Sequence, residues 1–180
     1  MNRFARTVLG YHGCHPEFAR DMISGESDTD NWLPSENVYE WLGNGIYFWE
    51  YGPERAFDYD NRGDAIGAII QLGNCLDLTD IGATRLLARQ YELLKVDYQR
   101  RGIALPKNRG MRGDLDCLVI NELVAATGNV FDTVRCPFLE GNLAYPDSRI
   151  YSQSHVQIAV RNPAAILGVF RPTPRLGDPP

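Results

Sequence analysis

Strand-type and helix-type apolar patterns are segregated along this chain, and that segregation limits the folds open to it more than any single motif does. β-Branched and aromatic runs come first: "TVLGYHGC", "GIYFW" and "AIGAIIQLGNCLDL" read as strands, the last as buried strand material. Helical periodicity then takes over. From Asp80, a natural N-cap, Leu87, Tyr91, Leu94 and Tyr98 recur at helical spacing and set one apolar stripe, which reads as core packing rather than a cofactor box. "LDCLVINELVAATG" continues as a helix with Gly128 as its cap, and strands return at "TVRCPF", "HVQIAV" and "AILGVF". Shorter helices are expected at "HPEFARDMIS" and "PERAFDYD", each with a proline near its start. This order predicts a single α+β domain of split, mainly antiparallel β-sheets flanked by helices, spanning residues 1–171. Residues 172–180 read as an extended, poorly packed, proline-rich tail.

With 180 residues, 44% hydrophobic and 23% charged, the chain can bury a substantial core, so one site on one scaffold is expected. No apolar run approaches the ~18 residues that cross a bilayer, and "MNRFARTVLGYHG" lacks the long apolar stretch of a secretory signal, which points to the cytoplasm. The formal net charge of −5 argues against broad electrostatic capture of nucleic acid. A basic loop at Lys107, Arg109 and Arg112 keeps an RNA or DNA contact open, although such loops are usually only solvated. Cys14, Cys75, Cys117 and Cys136 form no C-x-x-C pair and read as reduced, mostly buried thiols. No metal is expected: His12 and His15 straddle a strand end and a proline, share no helical face, and have no acidic ligand nearby to complete a set with His155.

The stretch "GNGIYFWE", Gly43 to Glu50, places two glycines one residue apart before three aromatics. A dinucleotide-binding turn needs G-x-G-x-x-G, but Phe48 stands at the last position, and no G-x-x-x-x-G-K-[ST] occurs. The glycines instead let the backbone turn sharply into the strand that carries Tyr47. A serine-hydrolase turn, G-x-S-x-G, is also missing, which leaves a covalent hydrolase as a minor alternative.

Three pieces carry a more specific signal: "YHGC" at the end of the first strand, "GNGIYFWEYGPERAFDYD", and "SHVQIAVRNPAAILGVF". Together they resemble the catalytic core of the ADP-ribosyltransferase superfamily, in its histidine-tyrosine-glutamate clade of poly-ADP-ribose polymerases and diphtheria toxin. The likeness covers most of the domain in order, with specific letters matching only in these pieces. It implies NAD as co-substrate. His12 would bind the adenine-side ribose, Gly13 would offer backbone hydrogen bonds to the nicotinamide carboxamide, and Tyr47 would pack on the nicotinamide ring. Phe57 or Tyr59 would supply a second wall, with Tyr59 preferred. By strand alternation Phe48 and Trp49 read as core.

At the third family position Gln157 stands where a glutamate is usual. Cleavage of the glycosidic bond of NAD releases neutral nicotinamide and leaves an oxocarbenium-like sugar, so the protein must orient the dinucleotide and stabilise positive charge. A carboxylate ~5 Å away contributes ~3 kcal/mol at an effective dielectric near 20, roughly a hundredfold in rate. Glutamine keeps a ribose hydrogen bond without that charge, which implies slower, single transfer or a helper carboxylate. Glu140, in "FLEGN", is a helper by loop position, and a solvated loop glutamate is the competing reading. Alternation puts His155 on Gln157's face, with Val156 and Ile158 opposite. His155 either contacts the target or the nicotinamide-side ribose, or is a hydrogen-bonded histidine at a strand end. The resemblance thus implies mono-ADP-ribosyl transfer to a macromolecule, as in bacterial toxins or phage-defence effectors. The acidic chain favours a protein acceptor, and a neutralising antitoxin partner is implied for a toxin. An NAD glycohydrolase and an inactive NAD- or ADP-ribose-binding module are the alternatives.

Overall fold

The computed structural model describes residues 4–59 and 62–173. Seven strands form the framework: β1 (Phe4–Cys14), β2 (Ile46–Glu50), β3 (Asp64–Gly73), β4 (Cys75–Asp77), β5 (Thr133–Phe138), β6 (His155–Val160) and β7 (Ile166–Phe170). Four α-helices accompany them: α1 (Pro16–Ser24), α2 (Pro53–Phe57), α3 (Ile81–Arg100) and α4 (Asp114–Ala126). The strands line up as β4-β5-β6-β2-β1-β3-β7, with every neighbour antiparallel except β4 and β5. The domain is therefore α+β, as the segregated patterns predict, but the expected split sheets are one hydrogen-bonded sheet. Its weak seam lies between β1 and β2, registered only at Gly10↔Glu50 and Tyr11↔Trp49. By contrast, β1 and β3 stay paired from Thr7↔Gln71 to Cys14↔Asp64.

Strand alternation gives the sheet two faces. The first buries Val8, Phe48, Ile66, Ile70, Ile158 and Val160 under α1, Trp32 and the 3-10 turn Pro163–Ala165. Along the second face, α4 packs Ile120, Leu123 and Val124 onto Leu76, Val134 and Ala159. At the other end, α2 brings Ala56 and Phe57 against Trp49, Ala65 and Tyr11. Helix α3 lies outside against α4, with only Leu94 of its stripe buried and Leu87, Tyr91 and Tyr98 half-buried.

Local chemistry sets the boundaries. Asp80 caps α3 by accepting from the Gly82 N–H at 2.5 Å. Helix α4 ends where Gly128 turns left-handed, at φ 75°, and the Asn129 N–H returns to the Val124 carbonyl. Helix α2 is shorter than its sequence suggests and stops at Phe57, so Tyr59 falls beyond it. Of the proline-rich tail only Pro172 and Thr173 lie within the described residues, and Pro172 is buried.

Candidate functional site

The "GNG" loop is held by the protein itself. Gly43 takes φ 74°, and a Cβ there would lie 2.6 Å from Asn121 Oδ1, so only glycine fits. Asn121 Oδ1 accepts from the Asn44 N–H at 2.9 Å while its Nδ2 donates to Asn44 Oδ1 at 2.8 Å. Arg161 donates to the Asn44 carbonyl at 2.7 Å and to Asn121 Oδ1 at 3.1 Å. The loop in turn fixes Tyr47, whose hydroxyl donates to the Gly43 carbonyl at 2.6 Å and accepts from the Leu42 N–H at 2.9 Å. Burial pushes this phenol far up from its ordinary pKa, so it stays neutral. Tyr47 is thus a positioned ring whose hydroxyl is already spoken for.

His12 lies on the opposite face. Its ring meets Trp32 edge-on at 4.9 Å and Phe48 at 5.8 Å, and Nδ1 is 2.8 Å from the Tyr47 carbonyl. A carbonyl only accepts, so Nδ1 carries the hydrogen and Nε2 the lone pair. Burial lowers the pKa to about 4, with the Tyr47 bond opposing and Arg62 adding to the fall. This bond bridges β1 and β2 where their ladder has ended. The Leu9 carbonyl accepts from the Tyr51 N–H, so the same ladder phase turns the backbone groups of Gly13 towards β2 and into that gap. Behind it, a Cβ at Gly13 would stand 2.4 Å from the Ala56 carbonyl and 3.0 Å from Tyr59 Cβ, which enforces glycine under α2.

The chemistry that lacks partners gathers elsewhere on the second face. Among the described residues, the buried side-chain nitrogen and oxygen atoms without a hydrogen bond are Trp49 Nε1, Arg55 Nε, His155 Nε2 and Gln157 Oε1. Trp49 and Gln157 are registered partners across β2 and β6, and His155 is two residues along the same face. His155 Nδ1 donates to the Gln153 carbonyl at 2.9 Å, which leaves Nε2 as an acceptor, and burial holds the ring's pKa below its ordinary value. Its ring stacks on Phe138 at 5.6 Å, and Phe138 meets Trp41 at 4.8 Å. Arg55 lies 5.9 Å over the Trp49 ring, donates to the Gln153 carbonyl at 3.2 Å and pairs with Glu140. Glu140 also stands 3.6 Å from His155 Nδ1. A cleft of about 680 Å³ opens beside them, lined by Trp49, Arg55, Asp58, Tyr59, Gln153 and Ser154. Its size is that of small-molecule sites, ~300–1,000 Å³.

Two donors, Trp49 Nε1–H and Arg55 Nε–H, and two acceptors, His155 Nε2 and Gln157 Oε1, therefore lie buried without partners beside the cleft, which Trp49 and Arg55 line. Buried groups of this kind are rare in native proteins, because each orphan costs about 1–3 kcal/mol. Tyr59 joins them through its ring, 5.0 Å from that of Trp49. Gln157 and His155 thus share the face of Trp49, on whose ring Tyr59 packs, Tyr47 is one alternate position further along β2, and His12 remains across the sheet.

Phe48 and Trp49 are both core, 1% and 8% exposed, as expected, but they lie on opposite faces: Trp49 shares the face of Tyr47, because residues two apart in a strand point the same way, and packs there with Ala56 and Ala65. That alternation was available in the sequence. Arg55 had no such signal, since only the chain crossing from the 139–154 loop to α2 gives it a partner. Glu140 is half-buried and ion-paired rather than solvated. Arg112 in the basic loop is answered by Asp114 at 2.6 Å and lies over the Tyr39 ring. Cys14 and Cys117 are buried and Cys75 and Cys136 half-buried, all as free thiols, and burial raises Cys14, Cys75 and Cys136 to about 11. No helix among the described residues is long and apolar enough to cross a membrane. Compared with models of protein families, with curated proteins and with solved structures, the chain matches none.

Proposed function

We propose that this protein is an NAD-dependent mono-ADP-ribosyltransferase that modifies a macromolecular target, with a protein acceptor favoured, in the manner of a cytoplasmic toxin or phage-defence effector. The observation that carries the reading is the gathering of Trp49, Arg55, His155 and Gln157 orphan atoms on one face of the sheet. Two donors beside two acceptors suit a ribose diphosphate, whose hydroxyls donate and whose phosphate oxygens accept. The gap at the β1–β2 seam supports it too, since the Gly13 N–H and carbonyl can hold a carboxamide there.

In this mechanism the cleft orients the dinucleotide, Tyr47 and Tyr59 flank the flat nicotinamide, and Gln157 and His155 bond the adjoining ribose. His12 acts from behind: its Nδ1–H ties β1 to the Tyr47 carbonyl and keeps the seam at a fixed width. Nicotinamide leaves as a neutral base, so no general acid is required, and the work lies in orientation and charge stabilisation.

Incubating the purified protein with NAD labelled in the adenosine part tests this, using a cell extract as the source of acceptors. Label transferred to a macromolecule is expected. Free ADP-ribose alone would make it a glycohydrolase, and no turnover in either form sinks the enzymatic reading. Gln157→Ala and Tyr47→Ala variants that retain full turnover would place the chemistry elsewhere.

A further inference from the structure

We infer that the catalytic carboxylate of this site is Glu140, supplied by the loop before β6 in place of a glutamate on the strand; the inference rests on the proposed NAD-dependent transfer. The strand position facing Trp49 holds an amide, Gln157, which brings no charge. Glu140 brings one to the same face, beside His155. Its side chain is one-fifth exposed, it pairs with Arg55, and it stands 3.6 Å from His155 Nδ1 on the face that Gln157 shares.

The surroundings suit a working carboxylate better than a structural pair. Arg55 holds Glu140 but is itself incompletely bonded, with Nε orphaned and its guanidinium stacked over Trp49. His155, turned by the Gln153 carbonyl and kept neutral by burial, neither neutralises Glu140 nor takes its charge. A pair built only for stability would leave no buried donor beside it without a partner. Arg55 is thus a positioning residue for Glu140, and it also lines the cleft.

The bond between ribose C1′ and the pyridinium nitrogen breaks with its electron pair passing to nitrogen, and neutral nicotinamide departs. The developing cation at C1′ is stabilised by the Glu140 carboxylate. A nucleophilic atom of the acceptor supplies the electron pair for the new bond to C1′, and its proton passes to Glu140 and then to solvent.

The test uses single-turnover cleavage of labelled NAD by the full chain, with NAD affinity and thermal unfolding measured on each variant. Glu140→Gln is expected to lose about a hundredfold in rate with affinity held within a few-fold. Adding Gln157→Glu to that variant is expected to restore at least tenfold, since it returns the charge from the neighbouring position. If Glu140→Gln unfolds, Glu140→Asp carries the test, keeping the charge with a shorter reach and losing about tenfold. Wild-type turnover with Glu140→Gln or Glu140→Asp within threefold of it overturns this inference alone, as does a folded double variant that stays inactive. No NAD turnover by the wild type overturns the functional reading and this inference with it.

Discussion

On the face of the sheet that carries Phe48, charged side chains answer one another: Arg135 donates to Glu50 at 2.5 and 3.0 Å and to Asp77 at 3.1 Å, and Asp77 also meets Arg6. On the face that carries Tyr47 and Trp49, the same strands hold Gln157, His155 and the Trp49 indole with atoms that nothing answers. Both faces are built from β2, β5 and β6, so backbone geometry does not separate them. What differs is the cover. Helix α1 and Trp32 close the first face, whereas over Trp49 and His155 the second is covered by α2 and the 139–154 loop, which Arg55 ties together through the Gln153 carbonyl and Glu140. A satisfied face reads as stability and an unsatisfied one as a place kept for a ligand, and variants can test that division from either side.

The largest effect belongs to the closed face. Phe48 is almost fully buried against Trp32, Ile46 and Ile158. Phe48→Ala should lower unfolding free energy by about 3–5 kcal/mol, through lost transfer energy and the cavity left behind. Denaturant titration reads this directly. A loss under ~1 kcal/mol would mean that the first face is not the principal core.

His12 provides the next effect and a sign that can be checked. Its folded pKa, about 4, lies below the ordinary 6.5 because burial disfavours the charged ring. Between these values the unfolded chain binds a proton that the folded chain refuses, so stability is complete above pH 6.5 and falls as pH drops towards 4. The slope reaches ~1.4 kcal/mol per pH unit and the total ~3 kcal/mol. His155, lowered in the same direction, adds to it. His12→Asn keeps a donor near the Tyr47 carbonyl but does not titrate. Its unfolding free energy should be flatter over that window than the wild type's.

The strands and the two long helices were legible because their signals are local: alternating apolar runs, the Asp80 cap, and Gly128 after an apolar helix. Tyr59 lies beyond α2 although "PERAFDYD" carries no stop signal at Phe57. The seam between β1 and β2 was illegible for a different reason, since register between strands is a tertiary property and no residue announces where pairing stops. Gln157 and His155 could be placed on one face from period alone. Their unmet hydrogen bonds could not, because an orphan is defined by what the rest of the fold fails to bring.

Asn121 sharpens the comparison from within α4. It links Arg161 to the "GNG" loop, whose Gly43 carbonyl accepts from the Tyr47 hydroxyl, so this part of the second face is well bonded. Asn121→Ala should destabilise by about 1–2 kcal/mol, the expected loss for part-buried hydrogen bonds that leave Asn44 and Arg161 short of partners. Near-ultraviolet circular dichroism should also change as the Tyr47 ring loosens. An unchanged spectrum with unchanged stability would show that the loop holds Tyr47 without it.

Gln157 gives the smallest stability effect and the most decisive contrast. An ordinary buried glutamine with satisfied bonds would cost stability when removed, but Gln157 Oε1 has no partner. Gln157→Leu removes the orphan, keeps similar bulk beside Trp49, and should change unfolding free energy by less than ~1 kcal/mol, with a gain as the expected sign. NAD turnover should fall at the same time, because a leucine offers nothing to a ribose hydroxyl. Stability gained while activity is lost marks a residue retained for ligand rather than fold. A loss of more than ~2 kcal/mol in this variant would place Gln157 among the satisfied groups of the closed face and erase the distinction at its centre.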